Sequence, residues 1–161
     1  MREYSREISS VIREFLTEDD WAFDFDEDNG MFHTDVALKS RLGFTDVLID
    51  VHQDYYQIFA RVFLNQAEQD CARMTAMLNR INCEITFGHF ELGENGSLRY
   101  RYVLPVSGIP CRKAVHDSLY IPSYLIDHYA EEILSVSCQD HAGSCCMKCM
   151  HRKAPAQEKL S

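Results

Sequence analysis

The chain has 161 residues, 46% of them hydrophobic, with 9 Phe, 8 Tyr and a single Trp, enough for one domain around one core. Acidic residues outnumber basic ones 25 to 16, giving a formal charge of −9, which repels phosphate backbones and anionic membranes and argues against nucleic acid as a partner. No stretch approaches the ~20 apolar residues of a membrane span. Charges at Arg6, Glu7, Arg13 and Glu14 leave no apolar signal region near the start, so the seven cysteines are expected as free thiols in a cytoplasmic protein.

Ile8, Val11, Ile12, Phe15 and Leu16 recur at i, i+3, i+4, i+7 and i+8, one apolar stripe of an amphipathic helix. The acidic cluster Glu18-Asp19-Asp20 is poor company for a helix C-terminus, so the helix is expected to stop near Thr17. Trp21 to Asp26 alternates strictly, with Trp21, Phe23 and Phe25 on one face and Asp24 and Asp26 on the other, the pattern of a half-buried strand. Asn29-Gly30 is turn chemistry, and Met31 to Leu38 alternates again. A loop around Gly43 leads to a hairpin, Asp46–His52 and Tyr55–Phe63. The β-branched and aromatic residues on both of its faces place it centrally in a sheet.

A second helix is expected over Gln66–Ile85, where Ala67, Cys71, Met74, Leu78 and Ile81 follow a heptad-like spacing. Phe87–Leu92, the turn around Gly93-Glu94-Asn95-Gly96 and Leu98–Leu104 form another hairpin. Pro105, Gly108 and Pro110 make a loop. A short helix is expected over Arg112–Leu119, then a final helix opened by Pro122 and striped by Leu125, Tyr129, Ile133 and Val136. Periodicity ends at Cys138. The reading is one α+β domain over residues 1–137, with an antiparallel sheet of about five strands in the order α-β-β-β(-β)-α-β-β-α, followed by a cysteine-rich basic tail over 138–161.

This element order, with the Trp21-Ala22-Phe23-Asp24-Phe25 strand, the helical Met77-Leu78-Asn79-Arg80-Ile81-Asn82, the strand Phe87-Gly88-His89-Phe90-Glu91-Leu92 and the strand Arg99-Tyr100-Arg101-Tyr102, resembles the bacterial YbjN family over about residues 3–137. Those proteins are labelled sensory transduction regulators and share a fold with type III secretion chaperones. The resemblance implies a non-enzymatic module that binds other polypeptides, often as a homodimer, and it carries no catalytic residue and no cofactor. The chain departs from the family pattern in a longer stretch between Gly30 and Thr45 and in its tail.

Each chemically suggestive cluster has a plainer reading. In the tail, Cys138, His141, Cys145, Cys146, Cys149 and His151 are soft ligands of the kind tetrahedral zinc prefers. Their spacing matches no known finger, so a tail with incidental thiols is preferred, and a metal- or redox-responsive protein is the alternative. His116-Asp117, Asp127-His128, His33 and His52 suggest base–orienter pairs, but no nucleophile elbow, phosphate loop or metalloprotease helix accompanies them. Asp24-x-Asp26-x-Asp28-x-Gly30 opens like a calcium loop yet lacks the closing Glu, so it reads as a solvated sheet face. Arg99 and Arg101 beside Tyr100 and Tyr102 suit either a single-strand binder or, better for an acidic chain, a protein contact with core tyrosines behind it. The wide apolar face of the second helix, Met74, Met77, Leu78 and Ile81, is the candidate surface for a homodimer or protein partner.

Overall fold

The structure, a computed structural model, describes residues 2–62, 64, 68–94 and 96–137. Helix α1 (Arg6–Glu18) starts where the Ser5 hydroxyl accepts a hydrogen bond from the backbone N–H of Ile8, satisfying one of the orphan donors of a helix start. It runs one residue past the expected stop and closes with a left-handed residue, Asp20, at φ 54°. The Trp21 N–H donates to Leu16 O and the Asp20 N–H to Thr17 O, the two bonds of a Schellman end. Three acidic residues in a row can sit here because Arg112 pairs with Glu18 and, at 2.7 Å, with Asp19, offsetting the charge that the helix dipole disfavours.

Four strands follow as a meander: β1 (Phe23–Asp26), β2 (Met31–Ala37), β3 (Phe44–Val51) and β4 (Tyr55–Val62). After helix α2 (Glu68–Glu84), strands β5 (His89–Leu92) and β6 (Leu98–Pro105) complete one antiparallel sheet in the order β1-β2-β3-β4-β6-β5. The sheet has six strands where about five were expected, because all four alternating segments before α2 join it. The expected hairpin of β3 and β4 does occupy the two central positions.

The period of two along each strand divides the sheet into faces. Phe32, Val47, Ile49, Val51, Tyr56, Ile58, Ala60, Leu98 and Tyr100 point to the helix side and are buried, joined there by Ile8, Ile12, Phe15 and Leu16 of α1. The opposite face carries Asp24, His33, Asp35, Asp46, Leu48, Phe59, Arg99 and Arg101, none of them buried.

Helix α3 (Arg112–His128) corrects the expected break at Pro122: the proline lies inside the helix, and the break comes at Tyr129 before α4 (Ala130–Ser137). A mid-helix proline forfeits the N–H bond to the residue four back, here Ser118. The side chain of Ser118 is used separately, its hydroxyl donating to Val115 O and paired with the buried Tyr56 hydroxyl at 3.0 Å.

Replacing Phe32, which is fully buried, by alanine is expected to cost about 3–5 kcal/mol. Phe44→Ala, at a residue 57% exposed, should cost less than about 1 kcal/mol. Urea unfolding followed by circular dichroism measures both.

Candidate functional site

β2 is longer than one of its partners. β3 pairs with it through Ala37, whereas β1 pairs with it only as far as Thr34, opposite Phe23. Beyond Thr34 the β1 side of β2 carries no strand among the described residues. The Leu38 N–H donates to Gly43 O on the β3 side. Backbone groups alternate in direction along a strand, so the N–H and C=O of Ala37 point to the open side. Such an edge is a template for an added strand.

Helix α3 runs beside this edge. His116, Tyr120, Tyr124 and His128 follow one another at intervals of four and are all exposed, so they form a single aromatic stripe on one helix face. The rings meet in two pairs: His116 and Tyr120 lie 4.5 Å apart between centroids, and Tyr124 and His128 6.1 Å apart. Trp21 meets Tyr120 edge to face at 5.6 Å. Tyr120 and Tyr124 remain 41% and 67% exposed, a large apolar payload with a polar tip, the kind of side chain that anchors protein contacts.

Between strand edge and stripe runs a groove. Its wider part, about 600 Å³, is lined by Val36, Ala37 and Lys39 on one wall and by Tyr120, Tyr124 and His128 on the other. It continues past Val36, Ala37 and Tyr120 into a hollow bounded by Trp21, Ala22 and Asp35, and round the edge to Asp24, His33 and Asp46 on the exposed sheet face.

Asp127 holds the far wall. Burial works to raise its carboxyl, but hydrogen bonds donated by the backbone N–H groups of Lys39 and Ser40, each at 2.9 Å, outweigh that and keep it below the usual carboxylate range. The 38–43 loop is thereby fastened to the end of α3, and the Arg41–Glu131 pair at 2.8 Å fastens it again to α4.

The residues singled out in the sequence scatter. Met74, Leu78 and Ile81 are buried in the chain's own core, and Met77 lies half-buried at its margin. The exposed face of α2 carries Ala72, Thr75, Ala76, Asn79 and Cys83 instead. His116 reaches Asp117 at 3.0 Å, and His52 reaches Asp50 at 2.9 Å. Asp50 is a buried hub that also accepts from Arg2 and Gln57. Burial pushes its carboxyl up, and these partners bring it below the usual range.

Asp26 is spent on its own turn, accepting from the N–H groups of Asp28 and Asn29 and from the Asn29 side chain. Tyr100 is buried, as a core tyrosine of β6 should be, while Arg99 and Arg101 lie on the exposed face above the Phe59 ring, their guanidinium carbons 5.4 and 5.5 Å from its centre. Among the described residues no group of three or more His, Cys, Asp or Glu could hold a metal, and no helix is long and apolar enough to cross a membrane. Cys138, His141, Cys145, Cys146, Cys149 and His151 lie outside the described residues.

The spacing of the aromatic stripe is present in the sequence, but a helix expected to break at Pro122 separates Tyr120 from Tyr124 and hides it.

Asp127→Ala is expected to cost about 1–2 kcal/mol by leaving two backbone donors without their acceptor. The carboxyl is depressed in the folded state, so its contribution is present above the unfolded value and fades as pH falls through the folded one, below about pH 4. The variant should therefore lose stability against the parent at pH 7 but much less at pH 3 in parallel urea titrations.

Comparison with known proteins agrees with this architecture. A family model described as YbjN, "Putative bacterial sensory transduction regulator", matches residues 9–133. No curated protein matches the chain in sequence. Among solved structures, YbjN from E. coli aligns at TM-score 0.57 and 14% identity, covering 81% of this chain and 96% of that one. The ExsC–ExsE complex aligns at TM-score 0.53 and 14% identity, covering 86% and 99%. The heterodimeric ExoU–SpcU complex of the Pseudomonas aeruginosa type III secretion system gives 0.47 and 9%, covering 77% and 95%. At these identities the likeness is one of fold, the α+β fold of YbjN and of the ExsC–ExsE complex. By the span of the family match, most of the described domain, the chain belongs to the YbjN family.

Proposed function

We propose that this protein is a non-enzymatic, chaperone-like or regulatory module that captures a segment of another polypeptide along the open edge of β2. The observation that carries the reading is the juxtaposition itself: an unpaired strand edge beside four exposed aromatic residues on α3. Strand addition draws affinity from main-chain hydrogen bonds and specificity from pockets for alternate side chains, and the groove offers both. Membership of the YbjN family supports a regulatory role, and one fold neighbour is a complex of two polypeptides, ExsC and ExsE. The cytoplasm is the compartment that goes with this reading.

A homodimer belongs to the same proposal. Of Met74, Met77, Leu78 and Ile81, Met77 is the member a second copy could touch, since the other three are buried within the chain. Light scattering should then give a mass near twice 18.7 kDa, and Met77→Asp should shift it toward the monomer. A parent protein that stays monomeric removes this part of the proposal.

Affinity capture from the native cell with mass spectrometry tests the partner site. A partner bound by the parent protein should be lost, or weakened by more than about tenfold, with the folded double variant Tyr120→Ser, Tyr124→Ser. Equal recovery by parent and variant would place binding elsewhere on the surface.

A further inference from the structure

An added strand would have two unlike walls to satisfy. Side chains of a strand project alternately to the two faces of its sheet. On the helix side of the β2 edge stand Val36, Tyr120 and Tyr124, an apolar and aromatic surface. On the other side stand Asp35 and, across the neighbouring strands, Asp24 and Asp46, with His33 between them.

Several charges on the exposed sheet face are compensated by neighbours across or along the strands. Asp46 pairs with Arg61, and Glu91 pairs with Arg99 and with His89, the latter at 2.6 Å. Asp24 and Asp35 are different: both are exposed, and neither has a hydrogen-bond or ion-pair partner among the described residues. Asp35 also stands directly opposite Asp46 in the register, and the cation beside Asp46, Arg61, lies on the far strand β4. The acidic excess is thus concentrated where the next strand's outward side chains would fall.

We infer that the segment captured at the β2 edge is an extended strand alternating apolar with basic side chains, its apolar residues against Tyr120 and Tyr124 and its Lys or Arg residues against Asp35 and Asp24. The inference rests on the strand-capture reading above and names the partner's chemistry. Basic residues give Asp35 and Asp24 the partners they lack and match a chain of charge −9, so encounter is steered as well as binding strengthened.

Fluorescence anisotropy of the full chain with eight-residue synthetic peptides tests it. The peptides alternate Val and Tyr with Lys, Gln or Glu at every second position. The Lys peptide is expected to bind about tenfold more tightly than the Gln peptide, the Glu peptide more weakly still, and the advantage should shrink as salt rises. Asp35→Lys should reverse the order. Ala37→Pro, which removes an outward N–H without touching the β3 ladder, should abolish binding of all three while the circular dichroism spectrum and melting temperature stay unchanged.

Equal binding of the three peptides, still abolished by Ala37→Pro, overturns the charge inference and leaves the strand-edge reading standing. Lys-peptide binding that survives Ala37→Pro overturns the strand edge and the inference with it, as does binding of no peptide at all. A self-association of the parent that Ala37→Pro abolishes would make a second copy the occupant and also overturn the inference.

Discussion

The exposed surface of this molecule is set by the way the chain leaves its first helix. The Schellman end of α1 ties the Trp21 N–H to Leu16 O, and the Trp21 ring lodges against Tyr120. The next carbonyl, that of Ala22, is held by the Thr34 hydroxyl at 2.7 Å. With these two residues committed, strand geometry begins at Phe23, and β1 covers only Phe23–Asp26 of a possible longer strand. β2, by contrast, follows β3 to Ala37 before the Asp127 clamp takes up Lys39 and Ser40. The three residues of unpaired edge are the difference between those two lengths. The ion pairs of Arg112 with Glu18 and Asp19 bind the end of α1 to the start of α3, so one helix cap both opens the edge and lays the aromatic stripe beside it.

The order of elements was legible because each carries its own period. β1, β2 and β6 alternate cleanly, α1 repeats at three and four, and the Asn29-Gly30 turn announces a change of direction. The groove was not legible, because it is made by register and by distant contacts. Nothing local says that β1 stops at Thr34's level, and the bonds from Lys39 and Ser40 to Asp127 span 88 and 87 residues. Pro122 misled in a specific way. As a helix start it divides a stripe that lies on one continuous helix from His116 to His128, and so conceals the feature that most distinguishes α3.

The second helix teaches the converse lesson. Met74, Leu78 and Ile81 recur at four and three, a spacing shared by coiled-coil seams and by a helix lying on a sheet. In this chain the spacing serves the core: Ile81 and Met74 are fully buried, and Asn82 nearby binds β5 through both of its amide atoms, donating to Phe90 O at 3.0 Å and accepting from the Phe90 N–H at 2.7 Å. Periodicity identifies which side of a helix is apolar. It does not say whether that side meets the same chain or another.

An edge of three residues limits what backbone pairing can supply. Each main-chain hydrogen bond contributes about 1 kcal/mol net, and ordering an extended segment costs a similar amount for every residue fixed. Strand addition at so short an edge therefore comes out near balance. The surplus has to come from side chains, and two kinds there can supply it: the tyrosines, which desolvate a large area with few rotatable bonds, and the uncompensated carboxylates, which act through charge. The same division explains how the bare edge is tolerated in the free protein. Exposed acidic residues beside an unpaired strand discourage pairing with another copy of an equally acidic chain, while leaving the groove open to a segment of opposite charge.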